Sequence, residues 1–499
     1  MTSKSMTQST ELFKQSPQPW RPHAYQKRAV KFLLEHACAG LLLDPGLGKT
    51  SAALGAIKYL KTRGVINKVL IIAPLRVCYR VWPAERDKWT DFHGLRVAVL
   101  HGKHKDSALA CDADVYVINP EGLDWLLQTD KSGGTSKRKA VVVDARRFAR
   151  LGFDTLIIDE LSKFKASNTY RFKAMKQVLP TFRRRWGLTG SPAPNGLLDL
   201  FGQCYMLDEG NALGRYITHY RSQFFYNPPH SPYEWKLLPG AEERIYARLA
   251  PLALRMAAED YLELPELTQN TVYVDLPDDV MAAYGTLEAA LFTELNGNVV
   301  TAANAAVASG KCRQLASGGL YLDPADELEP VFRRKKNWAH AHNAKVDALE
   351  ELVAELQGEP LLVAYDFKHD LERLRARFGK DVPVLGKGSA KQDAVLEAAW
   401  NAGQLPLLLG HPQSIGHGLN LQGACRHVCW HTLTWDYELY DQFIRRVYRQ
   451  GNKAMRVVVH HLIARGTIDE AVLAALRGKA EGQRALFDAL KALQNRRLK

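Results

Sequence analysis

Short apolar runs alternate with helix-like patterns along the first two hundred residues of this chain. The clearest runs are Val69-Leu70-Ile71-Ile72-Ala73, Val97-Ala98-Val99-Leu100, Val115-Tyr116-Val117-Ile118 and Leu156-Ile157-Ile158. Such alternation predicts a parallel sheet covered by helices on both faces. From about Asp208 to Asn343 the character changes. Aromatic and basic residues crowd Tyr216 to Trp235, and helical periodicity follows through Glu242–Asp260 and Val280–Leu315, as in a helical insertion and linker. Strand-like runs resume at Leu361–Tyr365, Val382–Leu385, Leu405–Leu409, His427–Trp430 and Arg456–His460. The expected organisation is therefore α/β: a flexible tail over 1–19, a first lobe over 20–207, the helical insertion and linker over 208–343, a second lobe over 344–469, and a C-terminal amphipathic helix over 470–499.

The first lobe carries the candidate chemistry. The apolar run Gly40-Leu41-Leu42-Leu43 enters Asp44-Pro45-Gly46-Leu47-Gly48-Lys49-Thr50, which opens a helix through Ser51-Ala52-Ala53-Leu54. This is the layout of a phosphate-binding loop. Gly46 and Gly48 let the backbone turn tightly and bring its amides against phosphate oxygens, and the helix start presents further amides and a positive dipole end. Lys49 would reach the outer phosphates and Thr50 would ligate Mg²⁺. The full pattern asks for glycine five residues before Gly48, where Leu43 stands. About a hundred residues later, Leu156-Ile157-Ile158 ends in Asp159-Glu160. In nucleotide hydrolases a strand-end Asp holds Mg²⁺ and a neighbouring Glu orients the attacking water. Together the loop and the acid pair point to an ATPase.

Composition adds the partner. The formal charge is +14 over 499 residues, a balance that suits a polyanion. Basic clusters at Lys137–Lys139, Arg183–Arg185, Arg333–Lys336 and Arg496-Arg497 suggest a nucleic-acid track. Seven scattered cysteines fit reduced thiols rather than a disulfide framework. Cys425-Arg426-His427-Val428-Cys429-Trp430-His431 lacks a second ligand pair for zinc and fits an apolar strand as well. No run is long and apolar enough for a membrane span, and Met1–Pro19 is polar, without the apolar segment of a signal peptide. The expected setting is the cytosol.

With these motifs in view, the chain resembles the superfamily-two helicases, and within them the Swi/Snf-type double-stranded DNA translocases in a minimal bacterial or bacteriophage form. Arg21-Pro22-His23-Ala24-Tyr25-Gln26 resembles the glutamine motif, implying that Gln26 reads adenine. Ala73-Pro74-Leu75 with Val81-Trp82-Pro83-Ala84-Glu85 is similar to the next, DNA-contacting motif. Asp159-Glu160-Leu161-Ser162 stands where the family has Asp-Glu-Ala-His or a near variant. Leu188–Asn195 resembles the coupling motif, and Ser414–Leu421 the motif that touches DNA backbone and nucleotide. Gln442–Gly451 resembles the arginine-finger motif, with the two arginines on Arg446 and Arg449 and with Arg445 in place of the usual glycine. Leu254-Arg255-Met256 and Lys311–Leu315 are similar to the Swi/Snf-type linker and helical signature.

The resemblance implies two RecA-like lobes, ATP and Mg²⁺ as cofactors, and duplex DNA as partner, with single-stranded DNA as a second possibility. It assigns Gln26, Gly46, Gly48, Lys49, Thr50 and Asp159 to nucleotide and metal, and Glu160, Gln442, Arg446 and Arg449 to hydrolysis. Three other readings stay open at this point. A strand-separating helicase would need a wedge, for which Phe224, Phe225, Tyr226 and Trp235 are candidates. A nucleotide-gated DNA-binding module would turn over little. A protein-translocating ATPase fits poorly with the acidic partner that the charge implies.

Overall fold

A computed structural model of the protein describes residues 17–128, 141–228, 235–297, 302–322, 333–334, 337–415 and 418–497. Most of the expected N-terminal tail, the Lys137–Lys139 cluster, Lys335-Lys336 and the centre of the Ser414–Leu421 motif lie outside these residues. So do the side chains of Arg333, Arg334, Arg496 and Arg497.

The first lobe is built on strands β1 (Cys38–Leu43), β2 (Lys68–Ile72), β3 (Val97–Val99), β4 (Val115–Ile118), β5 (Phe153–Asp159) and β6 (Arg184–Thr189). A short hairpin, β7 (Phe225–Tyr226) with β8 (Lys236–Leu237), and then β9 (Ala253–Met256) follow. The sheet runs β3-β4-β2-β5-β6-β1-β9, and its strand pairs are parallel. Parallel strands need helical crossovers, which cover both faces, so alternate residues must enter separate cores. That is what the burial gives: Leu70, Ile72, Leu156 and Ile158 pack on one face, and Val69, Ile71 and Ile157 on the other.

The second lobe comprises β10 (Glu266–Val274), a small antiparallel sheet of β11 (Gly319–Tyr321), β12 (Arg333–Arg334) and β13 (Trp338–His340), and then β14 (Leu361–Ala364), β15 (Val384–Leu385), β16 (Leu407–Gly410), β17 (His427–Trp430) and β18 (Arg456–Ala464). Its main sheet runs β10-β18-β17-β14-β16-β15, again parallel. Leu362 and Ala364 enter one core, Leu361 and Val363 the other. The C-terminal helix runs Ile468–Arg497.

The α/β class with two parallel sheets agrees with expectation, but the 208–343 segment is not simply helical. β9 lies beside β1, with Leu254 opposite Leu41, and so completes the first sheet. β10 pairs along its whole length with β18 and forms the edge of the second. Both escape a periodicity reading for physical reasons. β9 is four buried residues following a helix, too short to show a period of two. β10 is an edge strand whose positions are mostly exposed or half-buried, so it lacks an apolar run. The aromatic stretch is also largely core: Phe224 and Phe225 are buried in the first lobe with Tyr220, whereas Tyr226 is exposed.

Candidate active site

The loop after β1 is set by two glycines in the left-handed region, Gly46 at φ 95° and Gly48 at φ 69°. A side chain at Gly48 would run into Gln26 Nε2, so the position combines positive φ with a close approach. The helix Lys49–Thr62 starts immediately after. Lys49 Nζ folds back over the loop and donates to Leu43 O at 2.7 Å and Asp44 O at 3.4 Å. Burial lowers the Lys49 pKa, while the nearby Glu160 and Asp159 carboxylates oppose that shift. Gln26 is fixed from both ends: its Oε1 accepts from His23 N at 2.9 Å, and its Nε2 donates to Ser51 Oγ at 3.4 Å. Thr50, the second residue of the helix, lines the same cleft.

Asp159 is the last residue of β5. Its Oδ2 accepts from Trp82 Nε1 at 2.9 Å, which fixes the carboxylate at the sheet's C-terminal edge. Burial, and then the adjoining Glu160 charge, push its pKa up to about 6. Glu160 leaves the strand at φ 67°, a left-handed conformation that a non-glycine residue adopts at a cost of about 1–3 kcal/mol. The surroundings hold it there: its N–H donates to Leu188 O at 2.9 Å, and Thr189 Oγ1 donates to Glu160 Oε1 at 3.3 Å. The half-buried carboxyls of Asp159 and Glu160 line the same cleft as Thr50, a hard-oxygen donor set that fits Mg²⁺.

The opposite wall comes from the second lobe. The helix Tyr437–Ile444 presents Gln442, and the turn after it presents Arg446 and Arg449. Arg446 donates from Nε to Gln442 O at 3.1 Å and from Nη1 to Leu419 O at 3.2 Å. Arg449 Nη1 donates to Asn420 Oδ1 at 2.5 Å. Burial, then Arg449, lower the Arg446 pKa to about 10, so its guanidinium stays charged at neutral pH. One cleft of about 670 Å³ is lined by Gln26, Gly46, Gly48, Lys49, Thr50, Asp159 and Glu160 on one side and Gln442, Arg446 and Arg449 on the other. All ten residues singled out from the sequence meet there.

Several residues make contacts at the site that the sequence reading did not give. Trp82 was placed in a DNA-contacting motif, yet its indole serves Asp159. Asp44 pairs with Arg255 Nη1 at 2.8 Å and accepts from Ala258 N at 3.0 Å, and it lies 3.9 Å from Arg445 Nη1 of the second lobe. Burial works against the Asp44 carboxylate, but Arg445 and Arg255 outweigh it and lower its pKa. Arg445, where the resembling family commonly has glycine, thus brings a cation from the second lobe to Asp44 of the first, and it pairs with Asp441 at 2.7 Å. The Arg183–Arg185 cluster proves to be largely structural. Arg184 donates to Leu33 O and Leu34 O at 3.3 Å, and the buried Arg185 donates to Leu207 O at 2.7 Å and pairs with Glu209. Two of its three charges therefore serve the fold and are withdrawn from any nucleic-acid track.

Among the described residues no helix is long and apolar enough to cross a membrane. The family model described as SNF2-related domain matches residues 25–322. Protein p41 of Acyrthosiphon pisum secondary endosymbiont phage 1 is 34% identical over 486 residues, covering 94% of this chain and 98% of that protein. A Caenorhabditis elegans protein, the SWI/SNF-related matrix-associated actin-dependent regulator of chromatin subfamily A containing DEAD/H box 1 homolog, is 22% identical over 543 residues. That match covers 94% of this chain and 52% of the longer protein, so the chain spans about half of that relative's length. The Sulfolobus solfataricus SWI2/SNF2 ATPase core in complex with dsDNA aligns over 97% of both chains at 22% identity, with a TM-score of 0.41.

Proposed function

The chain belongs to the SNF2-related family, and from that premise we propose that it hydrolyses Mg-ATP to drive its own movement along duplex DNA. One observation carries the reading. Lys49, Asp159 and Glu160 face Gln442, Arg446 and Arg449 across a single cleft whose walls come from different lobes. A γ-phosphate held there would touch both walls, so nucleotide would bind the closed arrangement better than the open one. The glycine loop and Lys49 hold the phosphates, Gln26 reads the adenine edge, and Glu160 orients the attacking water and accepts its proton. Thr50 and Asp159 would hold Mg²⁺, which neutralises phosphate charge when bound. Arg446 and Arg449 stabilise the charge that builds on the transferring group, where a fixed guanidinium is worth most.

Opening after hydrolysis would shift one lobe against the other, and a duplex gripped by both would be moved. Burial of Phe224 and Phe225, two of the four aromatic wedge candidates, in the first lobe leaves Tyr226 alone fully exposed among them and favours translocation over strand separation. The chain's +14 charge supports a nucleic-acid partner. A bacterial cytoplasm or phage-infected host is the setting that fits the phage relative. The test is steady-state ATP turnover with no nucleic acid, single-stranded DNA, duplex DNA and RNA. The reading expects Mg²⁺-dependent turnover stimulated most by duplex DNA. Stimulation by RNA well above that by duplex DNA would overturn it.

A further inference from the structure

Glu438 belongs to none of the motifs quoted above, yet it stands where the two lobes touch behind the acid pair. It lies in the first turn of the helix Tyr437–Ile444 and is only 5% exposed. Its Oε1 accepts from Ser162 Oγ of the first lobe at 2.5 Å and from Gln442 Nε2, one turn along its own helix, at 3.2 Å. Its Oε2 lies 3.7 Å from Lys165 Nζ, again of the first lobe. We propose that Glu438 is a positioning residue that couples lobe closure to hydrolysis, tying the turn that carries Glu160 to the helix that carries Gln442 and leads to Arg446.

The connectivity is continuous on both sides. Ser162 lies two residues beyond Glu160, in the tight turn Leu161–Phe164, and is itself buried. On the other side, Gln442 passes the constraint on through its backbone, since its carbonyl accepts from Arg446 Nε at 3.1 Å. One carboxylate oxygen therefore holds a donor from each lobe, and that junction exists only while the lobes are together. Burial removes the water that would compete with both hydrogen bonds. The junction also answers a departure in the sequence: serine stands where the resembling family commonly has histidine, and Glu438 reaches across to it. Burial, and then the Glu160 charge, push the Glu438 pKa up to about 7.

The inference rests on the reading of the cleft as an ATPase site that closes, and the experiment separates the two. Glu438→Gln, Ser162→Ala and the double variant are compared with the parent for ATP KM, duplex-stimulated kcat, duplex affinity and thermal midpoint. Each single variant is expected to lower kcat about tenfold, with KM for ATP within about twofold. The double variant should fall no further, because both changes remove the same junction. Ser162→Ala removes only a hydroxyl and keeps the test open should Glu438→Gln fail to fold. Parent-like kcat in both single variants would overturn the role of Glu438, as would a multiplicative, about hundredfold, loss in the double variant. A fall in thermal midpoint that accounted for the lost turnover would mark the contact as structural and overturn it too. A parent with no DNA-stimulated turnover would overturn this inference together with the reading beneath it.

Discussion

Arg449→Ala tests whether the second lobe supplies chemistry or only a wall. In the structure Arg449 is anchored by Asn420, while Arg446 is held separately by Leu419 O and Gln442 O. Truncating Arg449 therefore leaves Arg446 in place and charged, since its pKa of about 10 keeps it protonated at neutral pH. A positioned arginine contributes roughly 10³–10⁵ to phosphoryl transfer. With a second guanidinium retained in the same cleft, the lower end applies: a loss of about 10³ in duplex-stimulated kcat, or about 4 kcal/mol of transition-state stabilisation. Nucleotide affinity should change only a few-fold, because Lys49, the glycine loop and Gln26 all belong to the first lobe. The assay pairs a fluorescent-nucleotide titration with steady-state turnover at saturating duplex. Turnover within a few-fold of the parent would falsify the two-walled mechanism, and a matched loss of affinity and turnover would assign Arg449 to ground-state binding instead.

Local chemistry was legible in the sequence because it depends on contiguous residues. Gly46, Gly48, Lys49 and Thr50 have the spacing of a phosphate loop apart from Leu43, and Asp159-Glu160 stands out by ending an apolar run. Arg446 and Arg449 were legible only through resemblance, since no local structure links them to a loop about four hundred residues away. What escaped was whatever depends on pairing at a distance. β10 is recognisable only by its partner β18, because an edge strand carries no apolar signature of its own. Arg184 and Arg185 look like surface charge in the sequence, whereas their donors satisfy backbone carbonyls and an acid contributed by other elements. Trp82 and Glu438 are ordinary residue types that only the fold brings to Asp159 and to Ser162 and Gln442. A sequence names the groups capable of chemistry, and folding decides which neutral or charged neighbours hold them in place.

Two further predictions concern the acid pair and the response to acid. Glu160→Gln should retain ATP affinity and lose turnover, whereas Lys49→Ala should weaken nucleotide binding itself; equal loss of affinity in both would contradict the separate roles. The second is that mild acid destabilises the last third of the chain, after residue 340. His342, His431 and His461 are buried there, and burial lowers their pKa values to about 3, 3 and 4. His342 shows why the neutral form is required: its Nδ1 accepts from Ala344 N at 3.2 Å, while its Nε2 faces Leu315 O at 2.9 Å, so the ring can carry only one proton there. The folded values lie below the unfolded one, so the unfolded chain takes up protons first. Stability is full above about pH 6.5 and is lost as pH falls towards the folded values. At pH 5 each site costs about 2 kcal/mol, from about 1.4 kcal/mol per unit over 1.5 units. Denaturant unfolding at pH 7.5 and pH 5 reads the effect, and His342→Gln should weaken the pH dependence. Equal midpoints at the two pH values would show that these histidines accept a proton without leaving the fold.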